Sequence, residues 1–345
     1  MNNTTNLESR KTLGTTSKGL LKQLLAKRES GVFIALLLMC VFLSLSTSAF
    51  LSVRNLLNIG RQVSLIGIMA VGMTFVLIAR EIDLSIGSVY ALAGIVTSML
   101  LTSEVNVWVS IAGGLSVGAI LGLLSGWLST YGRLPSFITT LGMMSAVRGA
   151  ALLITEGQPV TVSEAAGAPA LSVARFTYLG QGRLFDTVPM QLIFLVVVTL
   201  IGGVLLSKTV LGFKIYAVGG SEKAARVSGI RVFNIKMITF AVMGFLSALA
   251  GILCVAFLPS TQAGRTGVGI EMDVIAAAIV GGASLTGGEG TILGTLLGVL
   301  IIGVLRNGLV LLGISAFWQE TAIGLVIILA VGLDMWTRSG RQSAS

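Results

Sequence analysis

The sequence has no histidine, only two cysteines and few charges: Asp, Glu, Lys and Arg together make up 11% of its 345 residues. Soluble domains carry about 25% charged residues. With 54% hydrophobic residues and 44 glycines, so little charge cannot coat a water-facing surface. The chain therefore reads as an integral membrane protein whose solvent is mostly lipid. Lack of histidine excludes imidazole-based triads, His metal sites and His proton relays. Cys40 and Cys254 lie inside apolar runs, which argues for small buried side chains rather than a disulfide framework or a thiolate metal site. No catalytic or metal-ligating set is expected. The polar, basic first 30 residues, followed by a full-length apolar run, do not look like a cleaved leader.

Apolar, nearly charge-free stretches of about 20 residues mark membrane spans. They occur at 31–53, 62–79, 84–103, 105–132, 134–155, 187–207 and 237–258. The crowded final third divides into 272–288, 290–311 and 317–335. This predicts an all-α, polytopic bundle of about ten transmembrane helices over 31–335. A cytoplasmic tail (1–30) precedes it, a short tail (336–345) follows it, and a longer loop lies at 156–186. The runs are continuous rather than alternating, which excludes a β-barrel. Ten spans leave both termini on one side. With that side inside, 16 of the 23 Lys and Arg are inner. Five are outer (Arg54, Arg61, Arg175, Arg183 and Arg265), and Arg148 and Arg306 fall within spans. The positive-inside bias predicts cytoplasmic termini and a cytoplasmic 208–236 loop. The net charge of +9 then needs no nucleic-acid partner.

Gly114, Gly118, Gly122 and Gly126 recur every four residues in the fourth span, and Gly290, Gly294 and Gly298 in the ninth. That spacing puts small residues on one helix face, where backbones can meet closely. Gly281-Gly282 and Gly287-Gly288 bracket a tight connection between spans 8 and 9. Gly202-x4-Ser207-Lys208-Thr209 nearly matches a phosphate-binding loop. Its second glycine is missing and no strand precedes it, so it is discounted. No ATP site is visible in the chain, and ATP-driven work would need another polypeptide.

The Lys208–Lys236 segment carries the most informative local signals. Ser221 can cap a helix, Glu222 suits its first turn, Ala224-Ala225 favour helix and Gly229 can end it. A helix of about eight residues is predicted there, exposing Lys223 and Arg226. It serves either as a docking element for a cytoplasmic partner or as a basic loop held near anionic lipid.

Glu222-x-Ala224-Ala225-x3-Gly229 resembles the coupling loop of ABC importer permeases, and its surroundings from Gly212 to Ile230 resemble the ribose-type monosaccharide permeases. So do Ile82-Asp83-Leu84-Ser85-Ile86-Gly87-Ser88, the run from Leu134 to Met144, and the run from Asp273 to Gly290. The likeness covers about residues 50 to 335. It departs at Arg80-Glu81, a charged pair where many such permeases have small or uncharged residues. The resemblance implies the transmembrane subunit of a sugar importer in the bacterial inner membrane, built as a homodimer or with a paralogous permease. It also implies a periplasmic solute-binding protein and a cytoplasmic ABC ATPase that uses the ATP and Mg. Ser221, Glu222, Ala224, Ala225 and Gly229 would couple to that ATPase. The substrate could be ribose, xylose, arabinose, galactose, a signalling furanose or a nucleoside. A secondary transporter is the competing class, but ionisable groups inside the spans are few.

Two further expectations concern charges. Glu81-Ile82-Asp83 precedes span 3 and Glu271-Met272-Asp273 precedes span 8. An offset of five spans inverts orientation, so spans 2–5 and 7–10 would be inverted repeats, with Asp83 and Asp273 at equivalent helix starts. Arg306 and Glu320 lie roughly 7–10 Å below the apex of the last hairpin. They either snorkel separately or face each other across it.

Overall fold

A computed structural model describes residues 28–315 and scattered positions between 318 and 332. In chain order the helices are α1 (Arg28–Ser46), α2 (Val53–Ile78), α3 (Ile86–Thr102), α4 (Val107–Thr130), α5 (Ser136–Thr155) and α6 (Ala170–Gln181). They continue as α7 (Met190–Lys208), α8 (Val210–Gly220), α9 (Glu222–Val227), α10 (Val232–Phe257), α11 (Ile270–Val280) and α12 (Ile292–Leu311). Nine of the ten expected spans coincide with helices. The tenth is described only at scattered positions, and Glu320 and most of the two tails lie outside the described residues.

Two long helices, α2 and α10, form the buried centre and supply much of the main hydrophobic cluster, including Met69, Met73, Phe75, Phe240 and Met243. At 1.5 Å per residue, each 26-residue helix is about 39 Å long, against about 30 Å of hydrocarbon. The apolar windows underestimated both helices. Arg54 and Arg61 belong to α2 rather than to a connection, because Ser52 caps the helix by accepting from Asn55 N. Lys236 likewise belongs to α10 and is buried.

The neighbours of these two helices exchange in a regular way. Helices α3 and α4 pack on α10, while α11 and α12 pack on α2; α3 also packs on α4, and α11 on α12. An inverted repeat of spans 2–5 and 7–10 requires this exchange of partners. Asp83 lies two residues before the cap of α3, and Asp273 lies in the first turn of α11, so both mark helix starts.

The glycine stripe of α4 seats it on α10. A Cβ at Gly118 or Gly122 would collide with the carbonyl oxygens of Gly244 or Phe240, one at Gly114 with Thr97, and one at Gly126 would crowd Met237. In α12, Gly294 and Gly298 press in the same way on the Gly281 and Ala277 carbonyls of α11. Gly290 is not part of that stripe. Thr291 caps α12 by accepting from Gly294 N, so the helix starts at Ile292 and Gly290 sits in the preceding turn.

Span 8 is also shorter than expected. Helix α11 has 11 residues, about 16 Å, and the chain then turns through Gly282, Gly287 and Gly288 at positive φ. The long 156–186 connection is partly ordered. It contains α6 with Phe176 buried, the strand Val160–Thr161 paired to Ser260–Thr261, and a tight hairpin of Arg183–Leu184 with Val188–Pro189.

Candidate functional site

The Lys208–Lys236 segment forms one end of the bundle, here termed the basic end. Ser221 ends α8 and caps α9, its hydroxyl accepting from Ala224 N. Gly229 follows α9 at φ +78°, the left-handed region that favours glycine. Helix α9 is six residues rather than eight, because Ser228 N and Gly229 N already close its last turn onto Ala224 O and Arg226 O. Ala225 is buried, whereas Lys223, Ala224, Arg226 and Val227 face outward. Val227, 85% exposed, stands at the tip beside basic side chains. Such a surface, apolar and basic together, suits a partner that buries it.

Three contacts tie this segment to the centre. The first is a charge cluster. Lys236 Nζ lies 2.5 Å from Glu81 Oε1 and also donates to Glu222 Oε1, while Arg226 adds a longer contact of 3.8 Å to Glu222. Lys236 and Glu81 retain only about a tenth of their side-chain exposure. The Lys236 ammonium holds both carboxylates, and leaving the buried Lys236–Glu81 pair unmatched would be costly. One of the carboxylates belongs to α9 and the other to the α2–α3 junction. Lys236 stands at the end of the predicted cytoplasmic loop; its buried pairing depends on Glu81, far away in the chain, and no local signal announces it.

The second contact is backbone on backbone. A side chain at Gly219 would collide with the Ile78 carbonyl oxygen, and Gly288 N donates to that same oxygen at 2.9 Å. Gly219-Gly220 completes α8 rather than breaking the chain. Third, the Tyr216 hydroxyl donates to Gly290 O at 2.7 Å. The end of α8 thus rests against both irregular junctions, 79–85 and 281–291. Irregular backbone inside a membrane protein survives only where protein groups satisfy it. At 79–85, Ile82 N donates to Ser136 Oγ, and Thr140 Oγ1 donates to Ile82 O. Arg80 turns this junction at φ +64°.

Asp83 closes the junction. It is 1% exposed, and its Oδ1 accepts from Ser85 N at 2.9 Å and from Ser85 Oγ at 2.6 Å. Burial pushes its carboxyl up, and the two Ser85 hydrogen bonds oppose that. The Glu81 departure noted in the sequence is therefore structural: it pairs with Lys236, not with its neighbour Arg80.

Beside α9, a cavity of about 330 Å³ opens between Tyr131 at the end of α4 and residues 229–234, where the chain enters α10. Arg226 stacks over the Phe233 ring at 4.8 Å, and Tyr131 packs on the same ring at 5.2 Å. This adjoins the exposed face of α9 and extends it to a second connection of the bundle.

At the opposite end, Asp273 and Arg306 form an ion pair, with Arg306 Nη2 at 2.8 Å from both carboxylate oxygens. The partner expected for Arg306, Glu320, lies outside the described residues. Arg148 donates to the carbonyls of Ala263 and Thr266 at 2.7 and 2.6 Å. The stretch 202–208, which looked like a phosphate loop, is the last part of α7.

A family model described as "branched-chain amino acid transport system / permease component" matches residues 55–331. The chain is 43% identical over 306 residues to a ribose import permease protein of Escherichia coli strain K12, covering 89% of this chain and 93% of that one. A ribose import permease protein of Haemophilus influenzae is similar at 42% identity over the same shares. An L-arabinose ABC transporter permease protein of Azospirillum brasilense is 38% identical over 315 residues, 91% of this chain and 90% of that one. No solved structure matches the chain.

Proposed function

Because this chain belongs to the branched-chain amino acid transport system / permease component family, we propose that it is the transmembrane subunit of an ATP-driven monosaccharide importer. The sugar assignment rests on the ribose and arabinose permeases it resembles. The bundle lies in the bacterial inner membrane. By the distribution of Lys and Arg, its termini and basic end face the cytoplasm. A second copy, or a paralogous permease, completes the translocation unit, and a periplasmic solute-binding protein delivers the sugar. ATP and Mg belong to a separate cytoplasmic ATPase.

One observation carries the mechanism: α9 is exposed on one face and held on the other by Lys236, which Glu81 shares. The ATPase seats on Lys223, Ala224, Arg226 and Val227. When ATP binding moves that seat, α9 cannot move alone. Glu222 and Lys236 carry the displacement to the α2–α3 junction. Gly219 and Tyr216 carry it to the α11–α12 junction. Both junctions end helices that pack on the central pair α2 and α10, so a shift of one segment re-aims both halves together. This is the rigid-body rocking that alternating access needs.

Glu222→Lys and Gly229→Asp test the docking role. Each is expected to abolish sugar uptake, and with it substrate-stimulated ATP hydrolysis, while the protein still inserts. Uptake is also expected to survive collapse of the proton gradient. Normal coupled transport in both variants would contradict the assignment. Ligand binding by the partner solute-binding protein identifies the sugar.

A further inference from the structure

The chain gathers its positive charge at the basic end, yet three of the five arginines assigned to the other side line one cavity. Arg54, Arg61 and Arg183 surround a space of about 900 Å³ between the start of α2, the end of α6, the 183–189 hairpin and the end of α10. None of the three has a carboxylate within 4.0 Å among the described residues, and Asp186 at the hairpin turn does not line the space.

The cavity is built rather than incidental. Arg54 and Arg183 are exposed at its rim, whereas Arg61 is half-buried and lies seven residues, about 10 Å, further along α2. Its guanidinium sits 4.3 Å from the centroid of the Phe257 ring and donates to Asn58 Oδ1 at 3.2 Å. Phe257 is in turn fixed: Gln181 Nε2 donates to its carbonyl at 2.9 Å, and Gly180 leaves no room for a side chain against its backbone. Planar guanidiniums at graded depth match the several oxygens of a phosphodiester. The surface beside the cavity is apolar and uncovered. Val53 and Leu56 of α2 are 68% and 47% exposed, and Phe185 at the hairpin tip is 86% exposed. Positive charge bordering such a belt is where a lipid headgroup meets its acyl chains.

We infer that this cavity holds the phosphate of an anionic phospholipid from the leaflet on that side, its acyl chains lying along the exposed apolar face of α7 (Val196, Val197, Leu200 and Ile201), which starts beside Pro189 of the cavity and packs on α2. A carboxylate on a folded protein would reach the rim arginines but not Arg61 beneath them, so a headgroup fits the depth better. The inference rests on the membrane placement proposed above but not on sugar or ATPase assignments, and binding in detergent is measured independently of both.

The test is native mass spectrometry of the full chain in neutral detergent, titrated with phosphatidylglycerol or phosphatidylcholine. Retention of phosphatidylglycerol at least tenfold tighter than phosphatidylcholine is expected. The variant Arg54→Gln/Arg61→Gln/Arg183→Gln is expected to lose that preference, while Arg175→Gln/Arg265→Gln, which removes two outer charges elsewhere, keeps it. If the triple variant does not fold, Arg183→Gln alone, in the exposed hairpin, is expected to weaken phosphatidylglycerol about threefold. Equal affinity for the two lipids, or unchanged preference in the arginine variants, overturns the inference. So does displacement of phosphatidylglycerol by glycerol 3-phosphate at equal concentration, which would make the cavity a free-anion site. Loss of solute-binding-protein docking in the triple variant with lipid preference intact would also overturn it.

Discussion

The two halves of the bundle begin their shorter helices with similar text and settle the buried charges by different means. In the first half, Asp83 is satisfied locally, by the amide and hydroxyl of Ser85, and Glu81 reaches across to Lys236. In the second half the roles are exchanged. Asp273 takes the long-range partner, Arg306, while half-buried Glu271 lies against Gly87 of α3 and within electrostatic reach of Arg148. The acids stand near the starts of corresponding helices, Asp83 before the cap of α3 and Asp273 in the first turn of α11, but only the first half's Glu81 connects to α9. The asymmetry of their partners ties only the first half to α9, the segment proposed above to dock the ATPase.

Removing Lys236 should break the comparison most severely. Lys236→Met leaves Glu81 buried without its cation, and losing one member of a buried pair costs about 3–5 kcal/mol. Thermal unfolding in detergent should show the largest drop of this series, and substituting Glu81→Gln in the same protein should restore part of it. Full additivity of the two losses would show that the pair does not interact.

Asp273→Asn should come next. Arg306 keeps over a quarter of its side-chain exposure, so solvent compensates part of the lost carboxylate. A loss of about 2 kcal/mol is expected, smaller than the full penalty of a buried orphan charge. Asp83→Asn should cost least, under about 1 kcal/mol, because an amide oxygen still accepts from Ser85. The order 273 above 83 sharpens the contrast between a charge-satisfied and a backbone-satisfied carboxylate. Equal losses, measured by the same unfolding assay, would erase it.

Much of this architecture was legible in the sequence, because long apolar runs, glycine spacing and capping residues act locally. The Gly114–Gly126 stripe seats α4 on α10, and Ser221 and Gly229 bound α9 as their chemistry requires. What stayed hidden depends on pairing across the fold. A hydropathy window ends a span at a charge, yet Arg61 over Phe257 and Lys236 between Glu81 and Glu222 are carried within helices because each has found a partner. The 281–291 connection, whose glycines marked it as tight, cuts further into span 8 than the hydropathy window allows, since four of its glycines take positive φ. Of the acids that share Lys236, Glu222 was visible from its motif, whereas Glu81 stood out only as a charged departure from the pattern.

The most direct test of the account is the number of sugar molecules moved per ATP hydrolysed by the reconstituted transporter carrying Lys236→Met, with its ATPase and binding protein. The ratio is insensitive to how much folded complex survives. If α9 drives the α2–α3 junction through Lys236, the ratio should fall at least tenfold while the ATPase still assembles and hydrolyses ATP. An unchanged ratio would contradict the claim that this cluster transmits the motion.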